Sequence, residues 1–388
     1  MRISYPGDLF PPGECAIASR KTVRILFVGG FLGSGKTTLL WTAAKILIAR
    51  GKRVGLITND QAPHLVDTGL LARQGLRVGE VAGGCFCCNF PGLIRAADSM
   101  RNRIRADVLL AEPVGSCTDL SATILQPLKD RFRERFLPGP LTVLADPERT
   151  VRVLDGKRTG MHRDTAYILR KQFEEADRIL VNKIDLLGRA ERRRVAIRVS
   201  AAFPGIPVHA ISSRTGEGVA EWLDDVLSSN GSGLRISDLD YDRYSRGEAA
   251  LGWLNAEIDL SANRCCVPDW TLLGLLLMER IREECRRSRS PIGHVKMLVT
   301  AGGKSCAVNL TRTTGKIDVR GEVDGTKRKA RLVVNARVEM PPEDLETLLR
   351  EGLDALLRGR VKSSWRRLQR FRPAPPKPTH RYREVVPP

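Results

Sequence analysis

A glycine-rich octet, Gly30-Phe-Leu-Gly-Ser-Gly-Lys-Thr37, constrains the fold of this chain more than any other feature of its sequence. It follows a β-branched apolar run, Val23 to Val28, and a helical pattern continues from it to about Ala49. A strand, a glycine loop and a helix in this order bind phosphate, because backbone N–H groups and the helix N-terminus face the phosphate oxygens. Residue types at seven positions predict phosphate contacts: Gly30, Gly33, Ser34, Gly35, Lys36, Thr37 and Thr38.

Short apolar runs alternate with helical stretches through the first 228 residues. After Val23 to Val28, the predicted strands are Arg53 to Thr58, Val108 to Ala111, Leu141 to Ala145, Arg178 to Val181 and Pro207 to Ile211. This alternation predicts an α/β fold with a doubly wound, mostly parallel sheet that is covered by helices on both faces. Six small or turn-forming residues, Ser228 to Gly233, then mark a linker.

Beyond the linker, the strands are grouped together between two helices. The pattern predicts a long helix from Trp270 to about Arg287, with Leu272, Leu275 and Leu276 on its core face, and a last helix that ends near Leu357. Grouped strands between helices predict a smaller α+β domain. We divide the chain into an N-terminal arm (1–21), a phosphate-loop domain (22–228), a linker (229–235), an α+β domain (236–358) and a basic, proline-rich tail (359–388).

Charge is concentrated at the C-terminus. The chain carries a formal net charge of +20, and the segment from Arg358 onward holds ten basic residues and one acidic residue. Such a proline-punctuated basic tail is typical of a solvated, poorly ordered segment. The alternatives are docking on an acidic partner and weak attraction to nucleic acid.

Apolar runs and cysteine spacing exclude several classes of protein. The longest apolar run, Trp270 to Met278, is far shorter than the roughly 20 residues of a membrane-spanning helix. The first residues lack the apolar core of a secretion signal, and nine unevenly spaced cysteines do not form a disulfide scaffold. We therefore expect a cytoplasmic protein without a membrane partner.

A second motif, Asn182-Lys-Ile-Asp185, comes directly after a predicted strand. The carboxylate of Asp185 can accept from both N1–H and the 2-amino group of guanine, whereas adenine offers neither donor. Lys183 would lay its stem over the purine, and Asn182 would brace the loop. Ser212 and Ser213, after the next strand, are in position to offer a backbone N–H to guanine O6. The alternative for Asp185 is an ordinary helix cap.

A third motif, Val108-Leu-Leu-Ala-Glu112-Pro-Val-Gly115, is an apolar strand that ends in an acid. An acid at this place would hold Mg²⁺ or its water, and Gly115 would allow the backbone to contact the γ-phosphate. Lys36, Thr37 and Glu112 are therefore the candidate catalytic residues, and Thr37 and Glu112 are the candidate Mg²⁺ ligands. The alternative for Glu112 is a surface acid at a strand end.

Three thiols, Cys85, Cys87 and Cys88, fall within four residues beside Gly83 and Gly84. Together they can hold a borderline cation such as Zn²⁺, with a fourth position left open through which the metal can leave. A redox pair and buried structural thiols are the alternatives. The other candidates receive plainer interpretations: Cys117 as a small buried hydrophobe, His64 as a solvated loop residue, and Cys15, Cys265 and Cys266 as residues without a ligand role.

These motifs occur in the order seen in the CobW-like family of metallochaperone GTPases, which are related to the nickel-insertion GTPases of hydrogenase and urease. The resemblance covers about residues 22 to 228, and Leu141 to Asp146 is similar to the family's strand and acid. The chain departs from the family at Asn59-Asp60-Gln61-Ala62, where many members have Asn-Glu-Phe-Gly, so roles for Asp60 and Asp67 are only guesses. It also lacks the histidine-rich run that many members carry.

The resemblance implies a GTP-dependent switch that binds a transition metal, Zn²⁺ or Co²⁺, at the cysteine turn. It would deliver the metal to a client metalloprotein or to a cofactor-biosynthesis protein. We expect GTP hydrolysis to be slow, because the sequence offers no convincing general base. Two alternatives stay open: a nucleic-acid- or ribosome-associated GTPase that uses the basic tail, and a GTPase that gates the loading of an organic cofactor. The sequence predicts no oligomeric state.

Overall fold

A computed structural model describes residues 22–59, 77–81, 84–156, 161–263 and 267–387. Several predictions fall outside the described residues: those for the arm 1–21, Cys15, Asp60, His64, Asp67, Cys265 and Cys266. No helix in the described part of the chain combines the length and the hydropathy that a bilayer crossing requires.

The first sheet is parallel, which confirms the predicted α/β class. Its strands run in the order β3-β2-β4-β1-β6-β7-β8, and β5 pairs with β1 away from this path. The strands are β1 (Val23–Gly30), β2 (Val54–Asn59), β3 (Arg77–Val81), β4 (Val108–Glu112), β5 (Phe136–Pro138), β6 (Thr142–Ala145), β7 (Arg178–Val181) and β8 (Val208–Ala210). The sequence analysis missed β3 and β5, both of which are short.

Helices cover both faces of this sheet. Along the central strand β1, Ile25 and Phe27 belong to one buried cluster, and Leu26 and Val28 belong to another, because successive side chains point to opposite faces. The α-helices that precede the second sheet, among the described residues, are α1 (Lys36–Ala49), α2 (Phe90–Arg103), α3 (Gln126–Arg131), α4 (Pro147–Leu154), α5 (Arg163–Glu174), α6 (Arg189–Ala202), α7 (Val219–Ser228) and α8 (Tyr241–Ala249). A π-helical turn, Ser121–Leu125, precedes α3.

The second sheet is antiparallel and has six strands in the order β12-β11-β10-β13-β9-β14. Its elements are β9 (Gly252–Ala262), α9 (Trp270–Arg287), β10 (Ile292–Ala301), β11 (Lys304–Leu310), β12 (Asp318–Gly321), β13 (Lys329–Val338), α10 (Pro342–Leu357) and β14 (Val361–Phe371). Both helices contribute buried side chains to the core over this sheet. The predicted α+β arrangement is therefore confirmed.

Helix α9 has the predicted bounds but not the predicted core face. Leu272 and Leu276 are exposed, and the buried row is Leu273, Leu277 and Ile281. The run of apolar residues at the start of the helix has no polar interruption, so its periodicity does not show which side faces the sheet. The helix begins as expected, because the Asp269 side chain accepts from the Leu272 N–H at 2.9 Å.

The C-terminal segment differs from the predicted solvated tail. Its first part is β14, which pairs with β9 over its whole length, and its arginines meet acids of neighbouring elements. Arg370, for example, contacts Glu346 at 2.7 Å, and Arg366 contacts Asp259. High positive charge predicts disorder only where no complementary charge is at hand, and sequence alone does not show the partners.

The predicted linker and the segment that follows it pack on the first domain. Backbone N–H groups of Gly233 and Leu234 donate to the Asp177 carboxylate at 2.6 and 2.8 Å. Leu239, Tyr244 and further residues up to Trp253 lie in the same buried cluster as Phe27. The second sheet therefore starts from a segment that is anchored on the first domain.

Candidate functional site

The predicted phosphate loop connects β1 to α1 with its glycines in the left-handed region. Gly30 has φ = +126°, and Gly35 has φ = +103°. Space is also short, because a Cβ atom on Gly35 would lie 2.3 Å from Asn182 Nδ2, and one on Gly30 would lie 2.8 Å from the Leu144 carbonyl oxygen. Any residue with a Cβ atom at either position would therefore force the loop away from these neighbouring atoms.

Glu112 lies beside the start of α1, as the sequence predicts. It ends β4, which pairs with β1, and its carboxylate accepts from the Thr37 hydroxyl at 2.9 and 3.1 Å. Lys36 Nζ lies 3.9 Å from the same carboxylate and donates to the Gly30 carbonyl oxygen at 2.9 Å. A hydroxyl and a carboxylate oxygen at this distance form a donor set that suits Mg²⁺.

The predicted base-recognition residues are joined to the phosphate loop. Asn182 Nδ2 donates to the Ser34 carbonyl oxygen at 2.7 Å, and Asn182 Oδ1 accepts from the Ser213 N–H at 2.9 Å. Lys183, at φ = +62°, donates to the Gly33 carbonyl oxygen at 2.7 Å. The Asn182 side chain thus braces two loops at once. Asp185 accepts from the Ser212 hydroxyl at 2.7 Å, so these predicted residues are brought together.

Asp146, which the sequence associates with the end of β6, completes this side of the site. It accepts from Lys183 Nζ at 2.7 Å. Burial alone would raise its pKa, but the charges of Lys183, Arg149 and Arg312 lower the pKa of Asp146 below its ordinary value. Asp146 and Lys183 line a cleft of about 580 Å³ beside the predicted base-contacting loop.

Two buried hydroxyl groups test whether a nucleotide fits this site. Ser34 Oγ and Ser213 Oγ are enclosed, and neither has a hydrogen-bond partner among the described residues. Buried polar atoms are nearly always paired in native proteins. Both serines lie on the loops predicted to contact the nucleotide, so phosphate and purine oxygens are suitable partners for them.

The second part of the candidate site is a group of thiols at the turn that begins at Cys85. The sulfur atoms of Cys85, Cys87 and Cys117 lie within 4.8 Å of one another, and all three residues are buried. Cys88 Sγ lies 3.8 Å from Cys87 Sγ and is half-buried. A tetrahedral zinc ion with Zn–S bonds of about 2.3 Å holds its sulfurs roughly 3.8 Å apart. The distance from Cys87 Sγ to Cys88 Sγ has this value, whereas Cys85 Sγ and Cys87 Sγ are 2.7 Å apart and would have to separate by about 1 Å to hold such an ion.

Cys117 was interpreted from sequence as a small buried hydrophobe. It is buried, but its thiol contacts the cysteine turn rather than only apolar side chains. It lies about 30 residues from Cys85 in sequence, and no sequence spacing indicates that the two meet. The sequence signal that could have indicated a functional role for Cys117 is its position just after Gly115, in a segment that was predicted to approach the nucleotide.

The four sulfurs are electrostatically unequal. Hydrogen bonds from the thiols of Cys117, Cys87 and Cys88 lower the pKa of Cys85 well below its ordinary value. The same interaction with Cys85 raises the pKa of Cys88 to about 11. Of these four thiols, Cys85 is therefore the one whose thiolate form the neighbouring groups favour most.

Asn59, which sequence reasoning treated only as part of a variant motif, holds the cysteine turn in place. Its Nδ2 donates to the carbonyl oxygens of Val81 and Gly84 at 2.9 and 2.8 Å, and its Oδ1 accepts from the Phe86 N–H at 2.7 Å. Asn59 ends β2, next to the edge strand β3. The sequence signal that could have indicated this role is the position of an asparagine at the end of a buried strand.

One short segment connects the two sites. Glu112, which contacts Thr37, and Cys117, which contacts the cysteine turn, are five residues apart. Gln172 Nε2 donates to the carbonyl oxygens of Gly115 and Cys117 at 3.1 and 2.7 Å, and the Cys117 N–H donates to the Val114 carbonyl oxygen at 2.9 Å. Glu112 and Cys117 therefore lie at the two ends of one buried, hydrogen-bonded segment.

Fold and site together define a phosphate-loop protein with a thiol group next to its nucleotide site. Residues 24–209 match the family described as "CobW/HypB/UreG, nucleotide-binding domain". Over these residues the chain matches the family's nucleotide-binding domain, and the resemblance noted from the sequence is confirmed.

Curated relatives with similar sequences include two zinc chaperones of Escherichia coli. YjiA is 27% identical over 195 residues, which is 47% of this chain and 56% of YjiA. YeiR is 30% identical over 172 residues, which is 42% of this chain and 47% of YeiR. The chain thus spans about half the length of these two relatives. The urease accessory protein UreG of Metallosphaera sedula is 28% identical over 213 residues, which is 50% of this chain and 88% of UreG.

Proposed function

We propose that this protein is a GTP-hydrolysing metallochaperone that carries one transition-metal ion, Zn²⁺ or Co²⁺, to a client metalloprotein or a cofactor-biosynthesis protein. The observation that carries the proposal is the segment from Glu112 to Cys117. One end of it contacts Thr37 beside the phosphate loop, and the other end supplies a buried sulfur to the thiol group. The similarity to zinc chaperones and to a urease accessory protein supports this class of function.

In the proposed nucleotide site, Thr37 and Glu112 would hold Mg²⁺, which neutralises phosphate charge when bound. Lys36 would leave the Gly30 carbonyl oxygen and contact the β- and γ-phosphates. Asp185 would accept from N1–H and the 2-amino group of guanine, and the backbone of Ser212 and Ser213 would meet O6. These residues position the triphosphate but include no evident base, so the intrinsic turnover should be slow.

In the proposed metal site, the cargo ion is held by thiolates of Cys85, Cys87 and Cys117, with Cys88 beside them. The sequence analysis assigned the ion to Cys85, Cys87 and Cys88, and the geometry supports adding Cys117 to that set. Soft thiolates favour Zn²⁺, Co²⁺ or Cu⁺ over Mg²⁺ and Ca²⁺. An ion that is coordinated by sulfurs from two separate segments keeps all of its ligands only while those segments stay together.

Nucleotide and metal would therefore bind as coupled ligands. Mg²⁺–GTP would fix Glu112 and Gly115, and this would fix Cys117 against the cysteine turn. Coupling between two sites in one protein is typically about 5- to 150-fold in affinity. We expect the metal to bind more tightly to the GTP form than to the GDP form by a factor in this range.

Competition titration with a chromophoric chelator tests the proposal, using protein saturated with a non-hydrolysable GTP analogue or with GDP, both with Mg²⁺. Tighter Zn²⁺ binding in the GTP-analogue form is the expected result. Equal Zn²⁺ affinities in the two forms would contradict the coupling, and absence of stoichiometric Zn²⁺ binding in both would contradict the metal-carrier function.

A further inference from the structure

The end of the chain lies over the thiol group, and we name its residues Lys377–Val386 the C-terminal strap. The Lys377 N–H donates to Cys88 Sγ at 3.2 Å. The Thr379 N–H donates to the Cys87 carbonyl oxygen at 2.8 Å, and the Thr379 hydroxyl donates to the Cys88 carbonyl oxygen at 3.2 Å. Three hydrogen bonds thus join the strap to the two cysteines on the outer side of the group.

The strap continues onto the segment that follows Cys117. Arg381 Nε donates to the buried carboxylate of Asp119 at 2.7 Å, and the Tyr382 N–H donates to the Ala122 carbonyl oxygen at 3.0 Å. The His380 ring packs edge-on against Phe90, with centroids 5.2 Å apart. The strap therefore bridges both segments that supply sulfurs, the cysteine turn and the stretch after Cys117.

Further along, the strap is fixed to the first domain at the π-helical turn and α3. The Val386 N–H donates to Gln126 Oε1 at 2.9 Å, and Lys129 Nζ donates to the Val386 carbonyl oxygen at 2.6 Å. The Tyr382 hydroxyl contacts Asp130. Because the strap makes contacts along its whole length and not at one point only, these contacts indicate a specific binding surface for this segment on the first domain.

Cys88 is the residue whose chemistry the strap changes. Its sulfur accepts a hydrogen bond from the strap, whereas the sulfurs of Cys85, Cys87 and Cys117 form the compact group. The hydrogen bond from Lys377 fixes the Cys88 sulfur at the strap, outside the set of three sulfurs that lie within 4.8 Å of one another. The seated strap therefore favours the position of Cys88 outside the compact group.

From this geometry we infer that the C-terminal strap regulates the metal site by holding Cys88 away from the ion. With the strap seated, the ion has three thiolate ligands and an open position, which favours transfer. With the strap lifted, Cys88 becomes the fourth thiolate and closes the coordination shell, which favours retention. This inference rests on the proposed metal function, but the contact between strap and Cys88 is testable without metal.

Alkylation of the metal-free protein by iodoacetamide, followed residue by residue with mass spectrometry, tests the contact. A chain that ends at Pro376 should be alkylated at Cys88 several-fold faster than the full chain, because the segment that covers the sulfur is lost. Arg381→Glu, which places a like charge against Asp119, should give a smaller increase in the same direction. Arg383→Glu is the matched control, since Arg383 makes no hydrogen bond or ion pair given for the described residues, and it should leave the rate unchanged.

Co²⁺ binding tests the change in ligand number, because the thiolate-to-cobalt charge-transfer absorption grows with each bound thiolate. The full chain should show three thiolates and the chain ending at Pro376 should show four. Cys88→Ser should remove the fourth only in the shortened chain. Unchanged affinity for a GTP analogue would show that the shortened chain is folded, and Arg381→Glu repeats the test with the strap backbone intact.

Two results would overturn the inference: equal alkylation of Cys88 with and without the strap, or four cobalt-bound thiolates in the full chain. Absence of the charge-transfer band in every variant would instead contradict the proposed metal function. In that case a strap-dependent alkylation rate would still show that the strap covers Cys88 and would limit the inference to thiol protection.

Discussion

The base-recognition side and the thiol side of the first domain are built in different ways. Asn182, Lys183 and Asp185 lie within four residues and reach Ser212 and Ser213 across neighbouring parallel strands. The thiol group takes its sulfurs from the turn at Cys85 and from Cys117, is braced by Asn59, and is covered by the end of the chain. One side is a local motif, and the other is an assembly of distant segments.

This difference separates a fixed contact from a regulated one. The base-recognition loop is held to the phosphate loop by the Asn182 side chain, so it should stay in place whatever nucleotide is bound. The thiol group takes its sulfurs from two separate segments, so we expect its affinity for metal to change with the bound nucleotide. Each of the following substitutions is expected to impair either guanine recognition or metal binding, but not both.

The largest expected effect follows Cys117→Ala. Removing one of three buried sulfurs should weaken Zn²⁺ binding by at least about 100-fold, since even loss of an outer-shell partner costs 10- to 100-fold. Without Zn²⁺, affinity for GTP should stay unchanged, because the Cys117 sulfur lies against the other thiols and is not a predicted nucleotide contact. Chelator competition measures the first quantity, and fluorescence titration with a labelled GTP measures the second.

Cys306→Ala is the matched control for this prediction. Cys306 is also fully buried, but it lies in the core of the second sheet. It should lower stability slightly and leave Zn²⁺ affinity unchanged. A similar loss of Zn²⁺ affinity in both variants would mean that the effect at Cys117 is an effect of packing and not of coordination.

Asp185→Asn should break the other side. The amide keeps one acceptor and adds a donor, so it cannot accept from both N1–H and the 2-amino group of guanine. GTP binding should weaken about 10- to 100-fold, the effect of one charged hydrogen bond. Xanthosine triphosphate carries a carbonyl where guanine has its 2-amino group. The Asp185→Asn variant should therefore bind xanthosine triphosphate more tightly than the unchanged protein does. Unaltered preference for GTP would argue that Asp185 does not read the base.

Asn59→Ala should have a smaller effect on the thiol side, about tenfold on Zn²⁺ affinity, because it removes three hydrogen bonds that position the turn but no ligand. GTP affinity should not change. Asn255→Ala, at another buried asparagine in the second sheet, is the control. If both variants bind Zn²⁺ as the unchanged protein does, Asn59 does not position the metal site.

The two sides also differ in how far the sequence predicts them. The structure brings the phosphate loop, Glu112 and the Asn182–Asp185 motif together, as the sequence analysis expected, because each motif is short and its chemistry requires those residue types at that spacing. Their roles toward nucleotide stay predictions. Cys117 and Asn59 were not predicted as part of the thiol site, because their partners lie about 30 residues away in sequence. Tertiary contacts of this kind leave no local pattern.

The same reasoning explains the errors in the fold. The long strands β9 and β14 were missed, and the end of the chain was predicted to be solvated because of its charge. In the structure Arg381 meets Asp119 and Arg370 meets Glu346, pairs separated by long stretches of sequence. Charge patterns predict exposure, and only the fold shows which charges find a partner.

The smallest expected effect concerns Glu175, a buried acid whose carboxylate accepts from the Thr118 hydroxyl and the Ser121 N–H, on either side of the strap's anchor at Asp119. Burial, together with the charge of Asp119, raises the pKa of Glu175 to about 8. Because its pKa is raised on folding, the folded state binds more protons than the unfolded state between about pH 4.5 and 8, and stability falls as pH rises through this window.

Glu175→Gln should remove this pH dependence, because glutamine can accept from Ser121 and donate to Thr118 without ionising. Relative to the unchanged protein, the free energy of unfolding of the variant should rise by about 1 kcal/mol between pH 6 and pH 7. Urea titrations at the two pH values measure the difference. A pH-independent difference would show that Glu175 ionises normally in the folded protein.

The central claim is that the segment from Glu112 to Cys117 couples nucleotide and metal. Linkage requires that bound Zn²⁺ raise the affinity for the GTP analogue by the same factor by which the analogue raises the affinity for Zn²⁺. The most direct test is the dissociation constant of the GTP analogue at saturating and at chelated Zn²⁺, in the unchanged protein and in Cys117→Ser. We predict a ratio of about 5 to 150 in the unchanged protein and a ratio near one in the variant. A ratio near one in the unchanged protein would contradict the claim.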